Sequence, residues 1–67
     1  MIFSRFGTRL TLIDKETDAS GNVRIVRATT EGSPEMREYR RSDLMADNGM
    51  PEIDAALAKL PARKSPL

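Results

Sequence analysis

One stretch of the chain alternates apolar and polar residues, two more read as strands from their residue types and the turns that bound them, and a fourth repeats apolar residues with a helical period. Thr8 to Asp14 (TRLTLID) sets Leu10 and Leu12 between Arg9 and Thr11, the two-residue period of a strand. Val23 to Thr29 (VRIVRAT) is rich in β-branched residues and predicts a second strand. Met36 to Arg41 (MREYRR), with Tyr39 as its aromatic, predicts a third. The connectors DASGN and EGSP are dense in turn formers, and Pro34 marks a boundary because it cannot donate to a ladder. Connections this short imply antiparallel hairpins. Ile2 to Phe6 adds a short fourth strand at the edge, with Gly7 as the bend.

After Arg41 the pattern changes. Ser42 and Asp43 are good N-caps for a brief helical turn through Leu44 and Met45, which Asn48-Gly49 ends. In MPEIDAALAKLP, Ile53, Ala56, Leu57 and Leu60 fall at i, i+3, i+4 and i+7, one apolar stripe of a helix over 51–60. Pro51 suits its first position, Glu52 and Asp54 its positive end, Lys59 its negative end, and Pro61 stops it. Such a short helix does not persist alone, so the stripe must dock on the sheet.

Side-chain chemistry suggests the register. Leu12 opposite Val26 and Leu10 opposite Ala28 match apolar with apolar, while Val26 opposite Tyr39 sets Arg27 against Glu38 as a cross-strand ion pair. One face then carries Leu10, Leu12, Val26, Ala28 and Tyr39, and receives the helix. Phe3, Phe6, Leu44, Met45 and Met50 fill its margins. The open face carries Arg9, Thr11, Ile13, Ile25, Arg27, Glu38 and Arg40.

The expected fold class is therefore α+β: a small antiparallel meander of three strands, with a fourth short one, and a C-terminal amphipathic helix. The alternative is a small SH3-like barrel, in which Ile2 to Phe6 and the segment after Arg41 complete a closed five-stranded sheet. Either way residues 1–60 form one domain and 61–67 a flexible tail.

Composition narrows the chemistry. A chain of 67 residues buries only roughly 60% of its unfolded surface, so its core is marginal. It has no cysteine and no histidine, which removes disulfides, the usual zinc ligands and the usual neutral-pH base. The serines lie in no nucleophile-elbow sequence, the four glycines are isolated rather than gathered in a phosphate loop, and the acids sit in turns and helix starts. A non-catalytic protein without a cofactor is expected. The segment ETDASGNVRIVR spaces oxygens like a calcium loop, but its twelfth position is Arg27 where a bidentate Glu is needed. Two flanking strands replace the two helices such a loop joins, so a hairpin turn built on Gly21 and Asn22 is expected there, and no metal.

Charge is uneven: residues 1–41 hold eight basic against six acidic residues, while residues 42–60 hold one against four. No apolar run approaches the ~20 residues that span a bilayer, and the helix lacks the cationic face an anionic lipid surface requires. The start is too polar for a signal peptide, so a cytoplasmic, bacterial-type protein is the expectation. The open face, with Ile13 and Ile25 ringed by Arg9, Arg27 and Arg40, is the candidate binding surface for a protein partner or for a second copy of the chain. The alternative is nucleic-acid binding through Arg9, Arg24, Arg27, Arg37, Arg40 and Arg41. Against it stand a net charge of +1, scarce aromatics for base stacking, and the dilution of the field by Glu31, Glu35 and Glu38.

Overall fold

The computed structural model describes residues 1–64. Its elements are β1 (Ile2–Ser4), β2 (Leu10–Thr17), β3 (Val23–Thr30), β4 (Met36–Tyr39), β5 (Leu44–Ala46), α1 (Met50–Ala58) and β6 (Ala62–Lys64), with one 3-10 turn at Arg41–Asp43. The fold is the expected α+β, with a small antiparallel sheet and one helix near the C-terminus. Its strands form two sheets: a four-stranded one in the order β4-β3-β2-β6, and the pair β1-β5. The two segments that would complete a barrel do pair with each other, Ile2 opposite Ala46 and Ser4 opposite Leu44. The sheets nevertheless do not close, because only a single bridge, Phe3 to Arg9, carries the ladder from β1 to the start of β2.

The β3–β4 register is the expected one: Val26 opposite Tyr39 and Arg27 opposite Glu38. The β2–β3 register is not. Leu12 lies opposite Ala28 and Leu10 opposite Thr30, a slide of two residues from the apolar match. A slide of two keeps every side chain on its own face, so Leu10, Leu12, Val26 and Ala28 still share the core side. The slide is set at the hairpin turn, where Thr17 already lies opposite Val23; two irregularities, one at Ile13 on β2 and one at Arg24 on β3, offset each other between there and Leu12. The one on β2 is a β-bulge: Leu12 is followed by an extra residue, Ile13, before Asp14 meets Arg27 and Lys15 meets Val26. In a regular strand with Ile13 paired, Asp14 would fall on the same core face as Leu12. With Ile13 in the bulge, Asp14 and Glu16 join Arg27 and Ile25 outside, and Lys15 turns inward beside Val26.

The core is Ile2, Leu10, Val26, Ala28, Leu44, Ile53 and Leu57, with Leu12, Val23, Tyr39, Ala46, Ala56 and Leu60 packed around it. The helix stripe thus docks on the predicted face, as its spacing required. Among the residues expected at the margins, Leu44 is fully in the core and Phe3 is half-buried, whereas Phe6, Met45 and Met50 are exposed. The helical turn expected from Ser42 is a 3-10 turn that begins at Arg41 and has no side-chain cap, and Leu44 to Ala46 continue as strand.

Helix α1 starts at Met50, so Pro51 is its second residue. Glu52 Oε1 reaches back to accept the Asn48 backbone and side-chain N–H groups at 3.2 and 3.0 Å, which fixes the entry turn. At the other end Lys59 lies just past the last turn, and the cation that serves the helix comes from the sheet instead: Lys15 Nζ donates to the Leu57 carbonyl at 2.7 Å. Pro61 ends the helix region, but the following residues, expected as tail, stay in the fold. The Pro61 carbonyl accepts the Lys15 N–H, and Ala62–Lys64 run parallel to Lys15–Thr17 as β6. The rest of the expected tail, residues 65–67, lies outside the described residues.

Candidate strand-docking site

The bulge organises the outer face of the sheet. Asp14, nearly fully buried, receives the Arg27 Nε–H on Oδ1 and faces Arg63 Nε at 3.3 Å through Oδ2. The expected partner of Arg27, Glu38, is its neighbour on β4, yet the guanidinium turns to Asp14 on β2. The hydrogen bond that Arg27 donates to Asp14 raises the Arg27 pKa above its ordinary value; burial works against it, and the fields of Asp14, Glu16 and Glu38 add to it. One nitrogen, Arg27 Nη2, is buried without a hydrogen-bond partner. Beside this pair Arg24 reaches Glu16 at 2.9 Å.

The five residues read as a binding surface are thus dispersed. Ile25 and Arg27 share the outer face, half-buried, opposite Glu16 and Asp14. Ile13 sits on the bulge next to them, 40% exposed. Arg9 precedes β2, at the bridge to Phe3, and its carbonyl accepts the Glu31 N–H. Arg40 follows β4 in extended backbone, and both of these side chains are exposed.

The more developed surface runs along β4. This strand ends the four-stranded sheet, so one of its edges carries backbone N–H and C=O groups with no strand beside them among the described residues. Met36, Arg37 and Glu38 are exposed and Tyr39 is half-buried. A depression flanks β4 on each face. On the outer side it is about 790 Å³ and is bounded by Arg27, Glu35, Met36, Arg37 and Glu38. On the core side it is about 270 Å³, between Arg37, Glu38 and Tyr39 of β4, Thr30 of β3, and Ser4, Phe6 and Thr8 of the β1–β2 turn. A smaller hollow of about 220 Å³ continues past Phe6 and Tyr39 to Arg5 and Asp43.

Phe6 was expected to fill the margin of the helix-covered face and instead stands 88% exposed. The turn that presents it is built from Ser4. The buried Ser4 Oγ accepts the Phe6 and Thr8 N–H groups at 3.3 and 3.2 Å, and the Ser4 carbonyl accepts the Gly7 N–H at 2.9 Å. Gly7, at φ 86°, supplies the left-handed step that closes it. The Arg5 guanidinium lies 5.8 Å from the Phe6 ring centroid and 3.6 Å from Asp43, which ties the turn to the 3-10 segment after β4. A signal for this was present in the sequence: Phe6 sits between Arg5 and Gly7, with no apolar residue at the alternate position Thr8 to continue a buried face.

Other features are already committed. The hollow of about 440 Å³ between α1 and the β2–β3 hairpin contains Lys15 and Arg41. Lys15 is bonded to Leu57, and Arg41 makes two hydrogen bonds, at 2.9 and 3.0 Å, to the carboxylate of Asp54. In the hairpin turn Asp18 Oδ1 accepts the Ser20 and Asn22 N–H groups at 2.9 and 3.0 Å, so the carboxylate serves the loop's own backbone. Gly21, at φ 85°, provides the only left-handed residue of that turn, and Asn22 does not share the role. No helix among the described residues is long and apolar enough to cross a membrane. No family model, curated protein or solved structure matches the chain.

Proposed function

We propose that this chain is a non-catalytic protein-interaction module that binds an extended segment of a partner by adding it as a strand to the free edge of β4. The observation that carries this reading is the coincidence of an open edge with a depression on each face of the same strand. An added strand points alternate side chains to opposite faces, so main-chain hydrogen bonds supply affinity and two separate depressions supply selectivity. Phe6 is the apolar anchor. An aromatic ring this exposed, held by a buried serine and a cation, is arranged for contact rather than for the core.

The nucleic-acid alternative is weakened by the ion pairing of the strand arginines. Arg24, Arg27, Arg37 and Arg41 each lie within 4.0 Å of a carboxylate, which cancels much of the field a phosphate backbone would meet. The two readings separate in one experiment. Immobilised wild-type protein and Phe6→Ala are exposed to a native lysate with and without nuclease, at low and high salt. Strand addition predicts a protein partner that survives nuclease and salt and is lost from Phe6→Ala. Recovery of nucleic acid alone, unaffected by Phe6→Ala, refutes it.

A further inference from the structure

The charge order along β4 also defines what can pair with it. This inference rests on the strand-addition reading and specifies its partner. Met36 and Glu38 point to the outer face, opposite Thr29 and Arg27, while Arg37 and Tyr39 point to the core side, opposite Ala28 and Val26. Residues directly opposite in an antiparallel pair share a face. The ideal antiparallel partner, read from its own N-terminus, is therefore apolar opposite Tyr39, basic opposite Glu38, acidic opposite Arg37 and apolar opposite Met36.

That pattern is also the pattern of β4 itself, MREY. A second folded copy nevertheless cannot supply it. A closed dimer formed edge to edge has its two-fold axis normal to the sheet, so the outer face of one copy stays level with the outer face of the other. Only residues of the same face can then oppose. Two registers overlap most of the strand: one sets Arg37 against Arg37 of the second copy, and the other sets Glu38 against Glu38. The registers centred on Met36 or Tyr39 overlap the strand at one residue. Like charges directly opposite destabilise a pair, so the edge rejects its own fold. An extended segment whose edges are not yet occupied has no such restriction, because it can present either edge.

We infer that β4 accepts, antiparallel, an extended segment of another chain with the order apolar–basic–acidic–apolar, and that its alternating charges keep folded copies from pairing there. The probes are two capped hexapeptides. One has the sequence of residues 35–40, Glu-Met-Arg-Glu-Tyr-Arg, which matches every position of the edge with an opposite charge or an apolar residue. The other is its isomer with the central Arg and Glu exchanged. Each is titrated into the ¹⁵N-labelled full chain and followed by amide shifts, and sedimentation measures the self-association of the protein alone. The expected result is a monomer whose β4 amides shift with the first peptide and bind the isomer about tenfold more weakly. The protein carrying both Arg37→Glu and Glu38→Arg should reverse that preference. Equal binding of both peptides at β4 overturns the charge rule and leaves strand addition standing. Shifts confined to another surface overturn both. A wild-type dimer with protected β4 amides overturns the exclusion of self-pairing.

Discussion

Deleting one residue from the middle of a paired strand normally moves every later side chain to the wrong face. Deleting Ile13 should not. Ile13 is the extra residue of the bulge, so its removal leaves Leu12 opposite Ala28, Asp14 opposite Arg27 and Lys15 opposite Val26, with the ladder continuous from Leu10 to Glu16. The loss is the buried part of a side chain that is 40% exposed, about 1–2 kcal/mol. The gain is one fewer residue to order, worth a similar ~1–2 kcal/mol. The net change should fall within about 1 kcal/mol of zero. The control is deletion of Lys15, which brings Glu16 opposite the fully buried Val26 and also removes the cation from the end of α1. A carboxylate forced into that position costs several kcal/mol. A chain of 67 residues holds roughly 3–10 kcal/mol in total. Urea unfolding followed by circular dichroism distinguishes the two variants. Equal collapse of both would refute the assignment of Ile13 as the inserted residue and the face assignment built on it.

Three further outcomes follow from particular contacts. Lys15→Met should cost about 1–2 kcal/mol in urea unfolding, because the Leu57 carbonyl loses a charged donor at the helix end; no loss would show that water serves that carbonyl equally well. Leu57→Ala should cost about 2–5 kcal/mol, much of the domain's stability, since Leu57 is 3% exposed in the core. Glu52 should titrate below the ordinary glutamate range, held ionised first by its hydrogen bond from the Met1 ammonium and then by Asn48, with burial opposing. Its stabilising contribution is present above the unfolded glutamate pKa and is lost as pH falls through the lower folded value. Carboxyl ¹³C shifts should therefore show an upward move of the Glu52 midpoint in Asn48→Ala, and an unmoved midpoint would refute that contribution.

What the sequence made legible was local or depended on composition. The stripe Ile53, Ala56, Leu57 and Leu60 is carried within one helix, and its burial followed from spacing alone. The β3–β4 register was legible because Val26 against Tyr39 and Arg27 against Glu38 satisfy apolar and charge matching together. The β2–β3 register was not, because an apolar match of Leu12 with Val26 looks better than the true Leu12 with Ala28. Nothing in the alternation of LTLID announces an inserted residue. The consequences of the bulge were hidden with it: the inward turn of Lys15 toward α1, and the transfer of Arg27 from Glu38 to Asp14. β5 entered only through the barrel alternative, and β6 was missed, because each is three residues long and is defined by a distant partner, β1 and β2 respectively. The candidate site was half legible. Arg27 borders the outer depression beside β4, but the edge itself becomes a site only when Phe6 is brought from the β1–β2 turn to Tyr39.

Amide hydrogen exchange along β4 tests strand addition at the level of the backbone, where the claim is made. In the free protein, residues of β4 whose N–H groups point away from β3 should exchange fast, while their alternates, bonded into the ladder, exchange slowly. On saturation with the hexapeptide of residues 35–40, the fast members of Met36 to Tyr39 should become protected, alternating in sequence with amides that were already slow. Unchanged exchange along β4, with new protection on the outer face at Ile13 and Ile25 or nowhere in the protein, would contradict it.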